Sequence, residues 1–111
     1  AKKYNLKIIF NGTCSIGAKF NGKSIIKYSD ICVFSFNGNK TITTGAGGLI
    51  STENKIFFKK AKIYSQNGKI NSNYEYKYFG HNYRMSSIHA SIGLAQLKKF
   101  IQIKNKKNKI R

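Results

Sequence analysis

At 111 residues, with 41% hydrophobic and 14% aromatic side chains, the chain has the size of one domain with a single core and is too apolar for disorder. No apolar run approaches the roughly 18 residues of a membrane span, and the basic start, AKKYNLKIIFNG, holds an apolar stretch too short for a signal peptide. The net charge of +18 sets 21 Lys and Arg against Asp30, Glu53 and Glu75; it predicts generic attraction to anions, but Arg84 and Arg111 are the only arginines and the lysines are scattered, so no sequence-reading nucleic-acid site is expected.

Residues 6–10 (LKIIF) predict a short buried strand that stops at the Asn11-Gly12 turn. In 18–26 (AKFNGKSII), Asn21-Gly22 stands between alternating segments, a hairpin signal. Residues 31–36 (ICVFSF) are apolar and β-rich and predict a second buried strand. Residues 37–48 (NGNKTITTGAGG) contain four glycines, so this loop takes unusual dihedrals or approaches something closely. Leu49 and Ile50 return to a strand. Thr52 is the expected N-cap of a helix whose apolar side is Ile56, Phe57, Ala61, Ile63 and Tyr64, with Glu53 favourable in its first turn. Residues 66–82 are polar and aromatic without period and read as a long surface loop. Ser86 or Ser87 opens the clearest helix, with Ile88, Ile92, Ala95, Leu97, Phe100, Ile101 and Ile103 on its apolar side. Its lysine- and asparagine-rich end reads as a frayed tail or a solvated helix end. Strands alternating with helices indicate α/β. Cys14 and Cys32 have neither a CxxC partner nor a histidine at ligand spacing, so no metal site is expected; buried, reduced thiols in a cytoplasmic protein are.

Three blocks carry a specific likeness. DICVFSFNGNKTITTGAGGLI (30–50) delivers a serine on a buried strand, a lysine five residues later and a Thr-Thr-Gly-x-Gly-Gly turn into another strand. GHNYRMSSIHASIGLAQL (80–97) and IIFNGTCSIGAKFNGK (8–23) flank it in compatible order. Together they resemble the middle segment of the DegT/StrS family of pyridoxal-phosphate-dependent sugar aminotransferases. The resemblance implies that residues 1–111 form the second half of the large domain of a fold-type-I aminotransferase, a mixed sheet flanked by helices, with the first half and the C-terminal small domain absent. The implied reaction moves an amino group, with glutamate the donor, to a keto sugar on a nucleotide carrier. A homodimer, no specific nucleic-acid partner and no membrane are expected with it, and this stretch alone is expected to be inactive.

The resemblance also assigns roles. Lys40 is the lysine whose amine condenses with the pyridoxal aldehyde and later shuttles a proton. Ser35 contacts the cofactor phosphate. Asn82 reaches the neighbouring subunit's cofactor phosphate, and Arg84, in the same block, serves an anionic group or braces the interface. Asn11 stands where the family has an aspartate paired with the pyridine nitrogen; it fills the same volume and can hydrogen-bond the ring but supplies no negative charge. The neighbouring departures on the same strand end are Phe10 for an acidic residue and Cys14 for a Gln or Glu near the ring oxygen; Ala46, at a position often acidic, is tolerated variation. These departures make a non-catalytic or decayed relative the second reading. A basic nucleic-acid-binding module, favoured by charge alone, is the third.

Overall fold

The computed structural model describes residues 1–71 and 73–110. Strand β1 (Ile9–Asn11) runs parallel to β4 (Ile31–Ser35), and β4 pairs antiparallel with β5 (Gly48–Ser51), giving a mixed sheet in the order β1-β4-β5. Between β1 and β4 lies a hairpin of β2 (Lys19–Phe20) and β3 (Lys23–Ser24). Its turn is the expected Asn21-Gly22, with φ of 46° and 74°. Positive φ at both positions gives the backbone twist that joins two strands through two residues. Helices α1 (Lys55–Ser65), α2 (Ser87–Lys98) and α3 (Phe100–Lys109) complete the α/β architecture.

Local chemistry explains the helix starts. Asn54, not Thr52, caps α1: its side chain accepts hydrogen bonds from the backbone N–H groups of Ile56 and Phe57 at 2.9 and 3.1 Å. Thr52 is used one step earlier, where its hydroxyl donates to the Asp30 carbonyl at 2.6 Å and accepts from Asn54 N–H at 3.1 Å, fastening the approach of α1 to the sheet. Ser86 caps α2 by accepting from His89 N–H at 3.3 Å. The apolar stripe that runs from Ile88 to Ile103 in the sequence is divided at Lys99, and the lysine-rich end is helical as far as Lys109.

The core is thin. Ile25, Cys32 and Phe34 pack together with Ile16, Ala18 and Ile26 against them, and Ile42 and Thr44 are buried in the glycine-rich loop. The alternation along β4, with Cys32 and Phe34 inward, is that of a half-buried strand. The expectation of a buried first strand at 6–10 fails: β1 is displaced to Ile9–Asn11 and exposed throughout, with Ile9 at 67%. It is an edge strand with one neighbour, so its apolar character finds no covering layer. The same holds for the helices, whose Ile56, Ile88 and Ile101 are more than half exposed. The dimensions agree: 50 × 43 × 18 Å with a radius of gyration of 16.1 Å, against about 13 Å for a compact globule of this length.

Residues 66–71 and 73–82 are irregular, as expected, but not slack. The segment folds back on itself through single bridges Gln66↔Asn82 and Lys69↔Tyr76. Gly68, at φ 75°, lets it close: a Cβ there would lie 1.7 Å from the Tyr78 carbonyl oxygen.

Candidate cofactor site

Because β1 and β4 are parallel and Asn11 pairs in register with Val33, Asn11 and Ser35 both emerge at the C-terminal end of the sheet. That end is where ligands of open α/β sheets bind. The turn after β1 stays close to the sheet through Gly12, whose N–H donates to the Val33 carbonyl at 2.9 Å. A Cβ on Gly12 would stand 2.9 Å from the Cys32 sulfur and 3.1 Å from the Val33 oxygen, so only glycine allows this approach.

The loop carrying Lys40 is woven onto β4. Phe36 N–H donates to the Gly47 carbonyl, and the Phe36 carbonyl accepts from Thr44 N–H and from the Thr43 hydroxyl, each at 2.9 Å. Asn37 pairs with Gly45, and Lys40 N–H donates to the Asn37 carbonyl at 3.0 Å. Gly45 and Gly47 take φ of 83° and 105°, conformations closed to most side chains. Helix α2 braces the loop. Gln96 Oε1 accepts from Thr43 N–H at 2.8 Å, and Gly93 lacks the Cβ that would meet the Thr44 methyl at 2.8 Å. Gln96 did not stand out in the sequence; its one signal is a polar side chain within the apolar GLAQL stretch.

This frame brings the half-buried Lys40 over the turn that follows β1, with Nζ 3.1 Å from Cys14 Sγ. Cys14 is exposed rather than buried, contrary to expectation, while Cys32 is buried; both are free thiols. The hydrogen bond from Lys40 holds the Cys14 thiol below its ordinary pKa, Thr13 and the Lys40 charge add to this, and slight desolvation opposes it. Burial pushes Cys32 up, offset in part by the Gly12 backbone N–H.

Ser35 Oγ accepts from Asn37 N–H at 3.3 Å and keeps its own proton for an acceptor such as a phosphate. Asn11 Oδ1 accepts from Thr13 N–H at 3.3 Å, so its amide is turned toward the turn that carries Cys14. The three carboxylates are used elsewhere. Asp30 accepts from Ile8 N–H and faces Lys7, Glu53 pairs with Lys27, and Glu75 accepts from Asn71. The groups at this end of the sheet are therefore the Lys40 amine with the Cys14 thiol beside it, the Ser35 hydroxyl and the Asn11 amide. They suit a phosphorylated aldehyde, the hydroxyl for the phosphate and the amine for the carbonyl carbon, but they offer no anion to a pyridine nitrogen.

Asn82 and Arg84 are not part of this group. Asn82 pairs with Gln66 in a strap across the end of α1, flanked by His81 N–H to the Tyr64 carbonyl at 2.7 Å and Tyr83 N–H to the Ser65 carbonyl at 3.0 Å. His81 stacks on Tyr83, with ring centroids 4.8 Å apart. Arg84 is exposed and borders a cavity that Lys59, Lys62 and Lys69 also line.

The model of the DegT/DnrJ/EryC1/StrS aminotransferase family matches residues 1–111. GDP-perosamine synthase of Escherichia coli O157:H7 is 39% identical over 111 residues, which are 99% of this chain and 30% of that protein. Among solved structures, Helicobacter pylori PseC, an aminotransferase involved in the biosynthesis of pseudoaminic acid, superposes with a TM-score of 0.84 at 31% identity over 89% of this chain and 28% of its own. NtdA from Bacillus subtilis with bound cofactor PMP superposes with a TM-score of 0.79 at 34% identity, covering 90% of this chain and 23% of NtdA. The chain thus spans 30% or less of the length of these relatives. On a match over its whole length and on its mixed α/β architecture, the chain belongs to the DegT/DnrJ/EryC1/StrS family of pyridoxal-phosphate-dependent sugar aminotransferases.

Proposed function

We propose that these 111 residues are the second half of the cofactor-binding large domain of an enzyme that transfers an amino group from an amino-acid donor, glutamate, to a keto sugar carried on a nucleotide. The observation that carries this reading is the half-buried Lys40, held on a braced glycine-rich loop at the C-terminal end of parallel strands, with Ser35 at the end of the strand that leads into that loop. The relatives' names supply the substrate class: GDP-perosamine synthases and a UDP-linked altrosamine transaminase are among them.

In this reading Lys40 attaches the cofactor and moves the proton at the reacting substrate carbon. Ser35 donates its hydroxyl to the phosphate, and Asn82, on its strap beside α1, serves the phosphate of a second copy in a homodimer. Asn11 hydrogen-bonds the ring nitrogen without charging it. Bound pyridoxal phosphate supplies an electron sink for the carbon that loses its proton. Cys14 keeps the amine aimed at the sheet end.

The test is to incubate the complete aminotransferase that carries these residues with pyridoxal phosphate, reduce with borohydride and map the modified peptide. The adduct is expected on Lys40; an adduct on another of the lysines would remove the central assignment. One specific observation favours a second reading, a relative that binds the cofactor without turning over. No carboxylate among the described residues reaches the strand end that carries Asn11. Under that reading the Lys40 adduct still forms, but glutamate leaves the cofactor spectrum unchanged.

A further inference from the structure

Lys40 and Cys14 come from segments 26 positions apart, and the fold sets Nζ 3.1 Å from Sγ. The mechanism above uses the amine and leaves the thiol only a positioning task. Of the two thiols, Cys14 is open to solvent; Cys32 is wholly buried, its sulfur against Gly12, where a Cβ would meet it at 2.9 Å. Burial also favours the protonated form of Cys32, while the Lys40 hydrogen bond favours the thiolate of Cys14. A small oxidant therefore meets Cys14 first. Oxidised by peroxide, a thiolate becomes a sulfenic acid, which condenses with a nucleophile that stands against the sulfur, a second thiol or a backbone nitrogen. Here that nucleophile is an amine, whose lone pair is not shared with a carbonyl and is the more reactive for it. Little of the frame has to move to close the gap. Lys40 has a flexible four-carbon stem, and Cys14 sits on the weakly held turn after β1, where Thr13 N–H reaches Asn11 at 3.3 Å. The three carboxylate side chains are engaged elsewhere, so none of them draws Lys40 away from the sulfur.

We propose that Cys14 and Lys40 form a peroxide-modification site, in which hydrogen peroxide joins the sulfur to the nitrogen as a sulfenamide and withdraws the lysine from any aldehyde. That the joined form blocks cofactor attachment rests on the function proposed above; the cross-link itself does not. The Cys14 thiolate attacks one peroxide oxygen, the O–O bond breaks and hydroxide leaves. That hydroxide takes a proton from the Lys40 ammonium and becomes water, which frees the amine's lone pair. The amine attacks the sulfenic sulfur and an S–N bond forms. The S–O bond breaks, and the departing hydroxide removes a second proton from the nitrogen as a second water. Sulfur has lost two electrons and the peroxide has gained them. A free thiol reverses the step: it attacks the sulfur, Lys40 leaves as an amine, and exchange with a second thiol releases Cys14.

To test this, the complete aminotransferase that carries these residues is freed of cofactor, treated with equimolar hydrogen peroxide, blocked with iodoacetamide and digested with trypsin without reductant. The expected product is a pair of peptides joined through Cys14 and Lys40, lighter than their sum by two hydrogens, with no cleavage after Lys40. Dithiothreitol is expected to separate them and restore that cleavage. Cys14→Ser and Lys40→Met, neither in the core, are each expected to abolish the joined product. A disulfide between Cys14 and Cys32 would also remove two hydrogens, but trypsin would still cut after Lys40 and the product would persist in Lys40→Met. That outcome overturns the proposal, as does Cys14 joined to another lysine or halted as a sulfenic acid that dimedone traps. The oxidised protein, cleared of peroxide, is expected to take up no pyridoxal phosphate at Lys40, read by visible absorption. Uptake returns once dithiothreitol has been applied and removed, and in Cys14→Ser it is the same before and after peroxide. A cross-link in a protein whose reduced form attaches no pyridoxal phosphate to Lys40 would sink the aminotransferase reading and leave the modification site standing. Attachment at Lys40 without any cross-link would do the reverse.

Discussion

The two segments that meet at Lys40 are held in opposite ways. Residues 36–48 are tied to β4 by a net of backbone bonds, take the positive φ values that glycine allows, and are pinned to α2 by Gln96. Residues 11–14 rest on an exposed edge strand and are kept near the sheet by Gly12, by one weak bond from Thr13 N–H to Asn11, and by the Lys40–Cys14 contact. The braced segment retains the Thr-Thr-Gly-x-Gly-Gly pattern around its lysine. Of the departures that the resemblance implies, Asn11 and Cys14 lie in the loosely held segment and Phe10 directly before it, while the braced one carries only Ala46. A loop fixed by its own backbone bonds resists side-chain change because each glycine and threonine in it has a geometric task. A strand end with few constraints accepts substitutions without losing the fold, and its cost falls on chemistry instead.

The sharpest way to break this contrast is to remove the group the braced loop presents. In the complete aminotransferase, Lys40→Ala is expected to abolish the borohydride-trapped adduct and all amino transfer while circular dichroism and thermal unfolding stay unchanged, because the amine is half-exposed and among the described residues bonds to Cys14 alone. Loss of folded signal would instead make Lys40 structural.

Restoring the loosely held segment is expected to have the next largest effect. With Asn11→Asp in the complete aminotransferase, a carboxylate against the ring nitrogen stabilises charge that develops in the reaction. If it supplies roughly 3–4 kcal/mol, single-turnover amino transfer from glutamate rises by about two to three powers of ten. Cofactor affinity rises less, since the phosphate contacts do not depend on that charge. A rate and a cofactor spectrum both unchanged would show that Asn11 does not face the ring.

A smaller effect measures the bracing itself. Gln96→Ala leaves the half-buried Thr43 N–H without its acceptor, which costs about 1–2 kcal/mol. Amide exchange at Thr43 is expected to accelerate about tenfold, with the rest of the sheet unchanged. Uniform acceleration across β4 and β5 would mean that the loop and sheet open together.

The smallest effect is on the thiol that joins the two segments. Because Lys40 lowers the pKa of Cys14, a larger share of that thiol is thiolate at neutral pH than for Cys32, whose burial acts the other way. Alkylation of Cys14 is expected to begin at lower pH than that of an ordinary cysteine. In Lys40→Met its pH profile shifts upward, so at pH 7 the rate falls several-fold. An unchanged profile would mean that the Lys40–Cys14 contact does not persist in solution.

The elements were legible where local chemistry sets them. Asn21-Gly22 dictates its turn, Ser86 its cap, and the β-branched and aromatic run 31–36 its strand. Likeness in the blocks around Lys40 and Arg84 gave the family. The cap of α1 went to Asn54 because two asparagine and threonine acceptors lie within three residues of each other, and only the position of β4 decides which is spent on the Asp30 carbonyl.

Sequence alone thus determined the short-range features: which residues turn, which alternate, where helices begin, and which lysine stands in a glycine-rich loop. These depend on dihedral preference and on hydrogen bonds between near neighbours. Tertiary structure alone decided that Cys14 meets Lys40 across 26 positions, that Gln96 braces Thr43 across 53, and that Lys104 reaches Gly17 across 87. It also decided that the large apolar residues of β1 and α2 stay exposed, while α1 half-buries Phe57, Ala61 and Ile63 and leaves Ile56 and Tyr64 outside. Periodicity marks a face able to be buried, but burial requires a partner surface, and that is a property of long-range packing.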